Sequence, residues 1–283
     1  MAAAPVIDAH HHFWQVGRGD YHWMSPEMGE PLYRDYMPDD LAPLLRRAGV
    51  DATVVVQAAQ TEAETAFLLE LAERTPFVAG VVGWLDMEDG GFGTKLDALA
   101  RQPKFVGLRP MLQDLDDDAY IRRPAVLANL KLLAERGIAF DVLVHPRHLP
   151  RVARALEAVP GLKAVIDHIA KPDIASGAFG GWAEDMAAVA AFPNVLCKLS
   201  GMITEADHRA WKPADLKPYV DHVAGLFGSD RLMFGSDWPV CLQAGSYAEA
   251  LQALRAILDG RLSEAERGAV FGLNAVRFYG LSI

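Results

Sequence analysis

The residues best suited to chemistry stand near the start of the chain, where a short apolar run ends in histidines. The run from Val6 to Ala9 leads directly into His10, His11 and His12. If the run is a β-strand, its side chains alternate between two faces, so His10 and His12 project to one side and His11 to the other. Two imidazoles that share a face at a strand end can hold one metal ion or one water molecule. An apolar Phe-Trp pair follows without a polar linker, which argues against a tag or a basic leader.

The composition describes a globular protein without features of nucleic-acid or membrane binding. Its 283 residues are 51% hydrophobic, and the formal charge of −10 disfavours nucleic acid or an anionic membrane surface as a partner. No apolar stretch approaches the roughly 20 residues of a membrane span, and the first residues do not resemble a signal peptide. Cys197 and Cys241 show no metal-type spacing, as is usual in a reducing compartment. We expect a cytoplasmic protein with neither nucleic acid nor membrane as a partner.

Eight short apolar runs, rich in β-branched residues, predict the strands that position these histidines. They cover 5–10, 52–58, 77–84, 104–110, 139–145, 163–169, 194–200 and 231–237. Most intervals carry a helical pattern; one begins with Thr61 and Glu64 as a capping box, and another stops at Gly137. Strand and helix alternating eight times, with strands too apolar to face water, predict a parallel α/β architecture. Eight units in this length favour a closed (β/α)₈ TIM barrel, with 1–283 as a single domain.

Two segments lie outside the bare repeat. Residues 14–38 form a long first loop rich in Trp, Tyr and Pro, which is typical of a lid or the wall of a binding site. Residues 263–283 begin with a capping box of Ser263 and Glu266 and continue with apolar residues at helical spacing. We expect this second segment to be a final helix packed on the barrel.

Every predicted strand finishes with a polar or aromatic side chain. In strand order these are His10 and His12, Gln57, Trp84, Arg109, His145, His168, Lys198 and Asp237. In such barrels the active site lies at the carboxyl ends of the strands. The set therefore predicts one site built from all eight strands.

The strand-end set suggests a site for one divalent metal ion. His10, His12, His145 and Asp237 would bind it, because imidazoles and a carboxylate suit Zn²⁺, Mn²⁺ or Fe²⁺. Such a metal lowers the pKa of bound water and can polarise a carbonyl. Asp237 could take the proton of the attacking water, and His168 could hydrogen-bond that water or the developing oxyanion.

The remaining strand-end residues are predicted to bind a small molecule. Cations such as Arg109 and Lys198 are costly inside a barrel unless an anion or an oxyanion faces them. Lys198 therefore either takes part in catalysis or pairs with a barrel carboxylate such as Asp8 or Asp141. Gln57 and Trp84, with Trp14 of the aromatic loop, would hold a polyhydroxylated or planar substrate.

Seven motifs, spread over nearly the whole chain, resemble the amidohydrolase-2 branch of the amidohydrolase superfamily. In order they are IDAHHHFW, VVGWLDMED, GLRPMLQD, FDVLVHPRHLP, IDHIAKPDI, CKLSGMITEAD and RLMFGSDWPVC. The nearest similarity is to the sugar-lactonase members. The resemblance implies a distorted (β/α)₈ barrel that hydrolyses a sugar (aldono) lactone, such as L-fuconolactone or L-rhamnonolactone, to the aldonic acid.

The resemblance also implies roles for individual residues. His10 and His12 match the pair on the first strand, and Asp237 matches the aspartate of the eighth strand that activates water. His168 matches the histidine of the sixth strand, and Arg109 matches a substrate-binding arginine of the fourth.

Strands four and five affect the expected metal. His145 stands where related zinc decarboxylases carry a metal ligand, which favours a bound metal, zinc first, although catalysis without metal stays open. Arg109 occupies the place of the carbamylated lysine of two-metal members, so the resemblance implies at most one metal ion.

Two other functions compete with the lactonase. A metal-dependent, non-oxidative decarboxylase, or another small-molecule carbonyl hydrolase, could use the same histidines and aspartate, but a decarboxylase should carry more cations than Arg109 and Lys198. A binding barrel without catalysis is disfavoured by the presence of both His168 and Asp237. We expect a sugar lactonase that works as a monomer or a homodimer.

Overall fold

The predicted TIM barrel is confirmed by the computed structural model, which describes residues 4–283. Eight parallel strands pair in chain order. They are β1 (Ile7–His11), β2 (Ala52–Val56), β3 (Val78–Gly83), β4 (Phe105–Leu108), β5 (Ala139–Val142), β6 (Ala164–Ile166), β7 (Val195–Leu199) and β8 (Leu232–Phe234). The α-helices of these residues are α1 (Pro38–Ala48), α2 (Glu62–Arg74), α3 (Phe92–Leu99), α4 (Pro124–Arg136), α5 (Leu149–Ala158), α6 (Gly180–Ala190), α7 (Pro213–Phe227), α8 (Tyr247–Leu258), α9 (Glu264–Gly268) and α10 (Asn274–Tyr279).

Strands β2 to β8 end one to three residues before the predicted runs do. As a result, most of the predicted site residues, from Gln57 to Asp237, lie just beyond the strands, in the loops at the carboxyl end of the barrel. Lys198 differs, because it lies within β7 and its side chain is fully buried. The neighbouring Cys197 and Leu199 pack in the outer core between the sheet and the helices.

Residues of the candidate site themselves connect the first and last strands. The Asp237 N–H donates to the His10 carbonyl at 2.8 Å, and the His12 N–H donates to the Trp238 carbonyl at 2.7 Å. The sheet therefore closes beyond the end of β8, where the loop that carries Asp237 pairs with the end of β1.

An irregularity in β1 helps to aim the histidines. Asp8 pairs with Thr53 and His11 pairs with Val55, so three steps along β1 match two steps along β2, as at a β-bulge. Ala9 can therefore pack in the barrel interior while the next side chain, His10, also faces the buried polar cluster inside the barrel. His11 is directed to the other side, where its Nε2 lies 2.8 Å from the Thr53 hydroxyl.

The final segment packs against the starts of the strands. It comprises α9, a π-helical turn (Ala269–Leu273) and α10, so the continuous helix predicted for 263–283 is interrupted. The predicted capping box is present, since the Ser263 hydroxyl accepts from the Glu266 N–H. Phe278 and Tyr279 join a buried cluster with strand residues such as Val54 and Met233. This end of the chain therefore fills the barrel interior below the histidines.

The long first loop is fastened to the barrel. The backbones of Trp14 and Tyr36 exchange two hydrogen bonds, of 3.0 and 2.9 Å, and bring the two ends of the loop together. The indole N–H of Trp23 donates to the Ala58 carbonyl at 2.7 Å, just after β2. The role of 14–38 as a lid stays a prediction.

Only half of the predicted capping box at the start of α2 forms. The Thr61 hydroxyl accepts from the Glu64 N–H at 3.0 Å, as expected. The Glu64 carboxylate, however, is fully buried and accepts from the N–H groups of Ala58 and Ala59, at 2.9 Å each. The β2–α2 turn packs over this carboxylate, so Glu64 holds the loop after β2 instead of the helix start.

Among residues 4–283, no helix combines the length and apolar character needed to cross a membrane. Residues 1–3, which belong to the segment expected to lack a signal peptide, lie outside the described residues.

Candidate active site

Three imidazole nitrogens surround one carboxylate oxygen at the carboxyl end of the barrel. The Oδ1 atom of Asp237 lies 3.3 Å from His12 Nε2, 3.7 Å from His10 Nε2 and 3.8 Å from His168 Nε2. All four side chains are at most 5% exposed. The structure thus brings together four residues that the sequence placed on β1, beyond β6 and beyond β8.

The imidazoles of this group are neutral at pH 7. Burial lowers the pKa of His10 and of His168 well below the ordinary value, and it also lowers the pKa of His12. The tautomer of His12 follows from its second nitrogen, because Nδ1 lies 2.8 Å from the Val56 carbonyl, which can only accept. His12 therefore directs the lone pair of Nε2 at Asp237.

Asp237 is ionised at neutral pH. Burial by itself would raise its pKa, but the neighbouring His168 and the charge of Lys171 reverse this effect and hold the pKa below the ordinary value. Its backbone lies in the left-handed region, with φ of 55°. This conformation is uncommon for residues other than glycine, although aspartate and asparagine tolerate it better than most. The loop after β8 therefore accepts local strain that turns the carboxylate toward the imidazoles.

His168 is presented by an unusual left-handed turn. The four residues from His168 to Lys171 have φ between 48° and 61°, and each such residue costs about 1–2 kcal/mol. The Ser200 hydroxyl lies 2.8 Å from His168 Nδ1 and holds the ring from the β7 side. Strain of this kind is typical of functional sites, where the surrounding structure enforces it.

Arg109 and Gln57 hold each other beside His10. Arg109 Nη2 donates to the Gln57 carbonyl, and Gln57 Nε2 donates to the Arg109 carbonyl. Arg109 Nη1 lies 3.3 Å from His10 Nε2 and 3.4 Å from the carboxylate of Asp167. Within residues 4–283, Gln57 Oε1 and Arg109 Nε have no hydrogen-bond partner. Both atoms are buried from solvent, and buried polar atoms of this kind are commonly satisfied by an internal water molecule.

Lys198 pairs with a carboxylate, which is the second of its two predicted roles. Its ammonium lies 2.5 Å from Asp141 Oδ2 and 3.0 Å from Asp167 Oδ1, and the side chain has no exposed surface. The prediction that Lys198 takes part directly in catalysis is therefore wrong, because its ammonium is enclosed below His10 and no surface of the side chain is open to a substrate.

Trp14 also differs from the prediction that it binds substrate. Its indole is fully buried, its N–H donates to the Arg34 carbonyl at 2.7 Å, and its ring stacks near His12 with centroids 6.4 Å apart. Trp14 therefore supports His12 and leaves no free face for a ligand. Trp84 follows β3 and exchanges backbone hydrogen bonds with the Thr65 hydroxyl; its contact with substrate stays a prediction.

His145 lies outside the group of closest donor atoms. In the described part of the chain, one group of residues has metal-type donor atoms that all lie within 4.8 Å of one another, and it consists of His10, His168 and Asp237. His145 is half-buried at the start of a 3₁₀ turn, and burial, with the charge of Lys171, lowers its pKa to about 4. The geometry thus gives His168 the place among the donors that the sequence assigned to His145.

An ion pair near this group was not predicted from the sequence. Lys171 ends the left-handed turn, and its ammonium lies 4.0 Å from the carboxylate of Glu205 in the loop after β7. The charge of Lys171 lowers the pKa of Asp237 and of His168, which places it within electrostatic range of both. In the sequence, a lysine three residues after a strand-end histidine only weakly indicates a site residue. It is the left-handed turn that brings Lys171 close to Asp237 and His168.

The donor set fits a divalent cation. Two cations, Lys198 and Arg109, face three carboxylates, those of Asp141, Asp167 and Asp237, so the cluster carries a formal charge of −1. The lone pair of His12 and the oxygen of Asp237 also face each other at 3.3 Å, which is unfavourable without a positive charge nearby. Neutral imidazoles with a carboxylate are ligands that zinc and similar metals prefer.

The family model for amidohydrolases matches residues 7–281. The chain belongs to the amidohydrolase family. Its similarity to characterised members extends over almost the full length. It is 46% identical to an L-fucono-1,5-lactonase of Burkholderia ambifaria, over 96% of this chain and 94% of the relative. It is 40% identical to an L-fucono-1,5-lactonase of Burkholderia multivorans, over 97% of this chain and 96% of the relative.

A solved structure agrees with the fold of this amidohydrolase. A crystal structure of a Burkholderia multivorans amidohydrolase with bound zinc superimposes with a TM-score of 0.93 at 40% identity, and covers 99% of this chain and 100% of the other. The agreement extends over the complete barrel.

Proposed function

We propose that this amidohydrolase hydrolyses a sugar lactone to the aldonic acid, and that L-fucono-1,5-lactone is the first substrate to test. The observation that carries the proposal is the convergence of three neutral imidazoles on the ionised, buried carboxylate of Asp237. Such a group can activate water and stabilise an oxyanion at the same place. The two lactonase relatives, at 46% and 40% identity, support the choice of substrate class.

Asp237 acts as the general base. A water molecule held by its carboxylate gives up a proton to Oδ1 or Oδ2 as the water oxygen bonds to the lactone carbonyl carbon. The carbonyl π electrons move to the carbonyl oxygen and produce a tetrahedral oxyanion. When this collapses, the bond to the ring oxygen breaks, and protonated Asp237 returns its proton to that oxygen. The product is the open hydroxy acid, and Asp237 is again ionised.

The histidines stabilise the developing charge and orient the base. With the Ser200 hydroxyl donating to Nδ1, His168 carries its hydrogen on Nε2, beside Asp237, where it can donate to the oxyanion. His12 cannot donate from Nε2, because its hydrogen is on Nδ1 and faces the Val56 carbonyl. We assign His12 to holding a cation or the hydroxyl of protonated Asp237. His168 donates to the substrate oxygen when its Nε2 carries a hydrogen; a bound cation would take over that role and would have His168 among its ligands.

We infer that the site takes zinc, held by His10, His168 and Asp237 with His12 beside them. When bound, such an ion supplies a Lewis acid and lowers the pKa of water. Ser200 would then accept from His168 Nδ1 so that Nε2 offers a lone pair; a hydroxyl can serve in either direction.

We assign the recognition of sugar hydroxyls to the polar groups around the imidazoles. Lys171 offers donors and Glu205 an acceptor, 4.0 Å apart, and both side chains are partly exposed. A hydroxyl can donate to one such group and accept from another. A hydroxylated lactone can therefore satisfy groups that an unsubstituted lactone leaves unpaired.

The decarboxylase alternative receives less support from the site. Its substrate carboxylate would need cations, but Lys198 already contacts Asp141 and Asp167, and Arg109 contacts Asp167. Among the described residues near Asp237, the remaining cation, Lys171, is paired with Glu205.

The decisive experiment measures acid release from a panel of aldono-lactones, corrected for spontaneous hydrolysis, with wild type and Asp237→Asn. Asparagine tolerates the left-handed backbone of residue 237 but cannot take a proton. We expect a loss of about 10²–10⁴-fold in kcat, the usual contribution of a general base. The exposed substitution Asp259→Asn is the control. If wild type opens no lactone, the proposed substrate class is wrong; if Asp237→Asn stays near wild type, the assignment of the base is wrong.

A further inference from the structure

A second group of charged side chains lies below the catalytic histidines, inside the barrel. It comprises Lys198, Asp141, Asp167 and Tyr279, and we call it the basal cluster. Lys198, Asp141 and Asp167 have no exposed surface, and Tyr279 is 5% exposed. The mechanism above uses none of these four side chains. Buried ionic groups are costly unless each is paired, so their arrangement needs a reason.

The basal cluster joins distant parts of the chain. Lys198 lies on β7 and Asp141 on β5, Asp167 follows β6, and Tyr279 ends α10. The Tyr279 hydroxyl approaches from the opposite end of the barrel and lies 2.9 and 2.8 Å from the two oxygens of Asp141. Burial raises the pKa of Tyr279 well above its ordinary value, so the hydroxyl stays a donor. Its ring centroid also lies 5.6 Å from the Lys198 ammonium.

At its upper end the basal cluster contacts the imidazole of His10. Lys198 Nζ lies 3.2 Å from His10 Nδ1, in addition to its contacts with Asp141 and Asp167. Lys198 donates hydrogen bonds to His10 Nδ1 and Asp141 Oδ2, whereas Asp167 Oδ1 contacts the ammonium as an ion-pair partner. Asp167 Oδ1 also lies 3.4 Å from His10 Nδ1. The ring of His10 is therefore held from below by a fixed charge, while its Nε2 faces Asp237.

We propose that Lys198 and Tyr279 are positioning residues that hold the His10 ring against the reacting group. Lys198 contacts the ring directly, and Tyr279 acts through Asp141 and Lys198. The last helix, by way of Tyr279, then contributes to the rate and not only to the stability of the barrel. The role in turnover rests on the proposed lactonase function; the contact with His10 does not.

The test begins with Tyr279→Phe, which removes one hydroxyl and keeps the apolar ring. We expect kcat to fall about tenfold with KM within about twofold of wild type, because a small misplacement of a catalytic group affects the rate more than binding. The matched control is Tyr219→Phe. Tyr219 is similarly buried and its hydroxyl donates to the Ala178 carbonyl at 3.0 Å, but it lies on α7, outside the barrel interior. We expect the control to keep kcat within about twofold.

A double-mutant cycle separates positioning from stability. Lys198→Gln should lower kcat more than Tyr279→Phe does, and Tyr279→Phe should have no further effect on kcat in that background, since both act through one chain of contacts. The proposal would be overturned if the two substitutions lowered kcat by factors that multiply in the double mutant. It would also be overturned if Tyr279→Phe lost thermal stability but kept kcat. If Lys198→Gln does not fold, the comparison of Tyr279→Phe with Tyr219→Phe still decides.

A spectroscopic measurement keeps this proposal distinct from the lactonase proposal. In protein labelled with ¹⁵N-histidine, with His10 assigned from a His10→Asn sample, we expect Tyr279→Phe to shift the Nδ1 resonance of His10 and Tyr219→Phe to leave it in place. An enzyme that opens no lactone but shows this shift refutes the proposed function and retains the positioning contact. Unchanged His10 resonances in Tyr279→Phe refute the positioning proposal, whatever the substrate.

Discussion

Replacing Gly201 with alanine tests whether the position of His168 controls turnover. Gly201 has φ of +65°, and a Cβ built on it would lie 2.7 Å from His168 Nδ1 and 2.8 Å from Cγ. Optimal contacts between non-bonded heavy atoms are about 3.5–4.0 Å, so the imidazole would have to withdraw by about 1 Å. This movement would break the 2.8 Å contact with Ser200 and carry Nε2 away from Asp237.

The size of the effect can be estimated with a matched glycine. Gly137 has φ of +66° but nothing within 4 Å of an added Cβ. Gly201→Ala and Gly137→Ala should therefore share a backbone cost of about 1–2 kcal/mol in the free energy of unfolding. Gly201→Ala adds an overpacking cost of about 1–3 kcal/mol. A displacement of about 1 Å in a catalytic group can cost 10²-fold in rate, so we expect kcat to fall about 100-fold in Gly201→Ala and to stay near wild type in Gly137→Ala.

Two assays measure the two effects separately. Urea unfolding gives the free energy of unfolding of each variant, and initial rates of lactone opening, measured on fully folded enzyme, give kcat. Equal losses of kcat in the two variants would show that backbone strain, and not the contact with His168, is responsible. A Gly201→Ala enzyme with normal kcat would show that the position of His168 does not control turnover.

Three further predictions concern acid–base linkage, substrate binding and metal. Burial raises the pKa of Glu64 to about 8 from the ordinary 4.5. Its contribution to the free energy of unfolding is therefore complete below pH 4.5 and is lost as the pH rises through 8. In urea unfolding between pH 5.5 and 8, Glu64→Gln should remove a pH dependence of up to about 1.4 kcal/mol per pH unit. Lys171→Met should lower kcat/KM about tenfold for a hydroxylated aldono-lactone relative to unsubstituted δ-valerolactone, since a hydrogen bond to a charged group contributes about 1.5–3 kcal/mol; an unchanged ratio would remove Lys171 from hydroxyl recognition. Chelation should abolish lactone opening and added zinc restore it, with about one zinc per chain by elemental analysis; full activity in metal-free protein would contradict the assignment.

The fold was predictable because local patterns and the global arrangement agree. Eight apolar runs with helical intervals leave few alternatives to a barrel, and all eight strands form within or beside the predicted runs. The runs predicted for β2 to β8 extended one to three residues beyond the strands, because buried residues continue into the loops after the sheet hydrogen bonds have stopped. Glu64 shows a similar limit: the capping-box spacing was correct, but its carboxylate turns to a buried loop instead.

The sequence by itself determined that His10, His12, His168 and Asp237 meet, because all four stand where parallel strands end and the ends of a closed barrel lie together. Only the tertiary structure decided what each side chain does there. It placed His168, not His145, among the closest donors, because a left-handed turn directs the first inward and no local pattern reveals that turn. It enclosed Lys198 between carboxylates and joined it to Tyr279, partners far apart in sequence whose contact depends on distances across the barrel. Strand order and side-chain alternation are local properties that a sequence carries; charge pairing across a closed barrel is not.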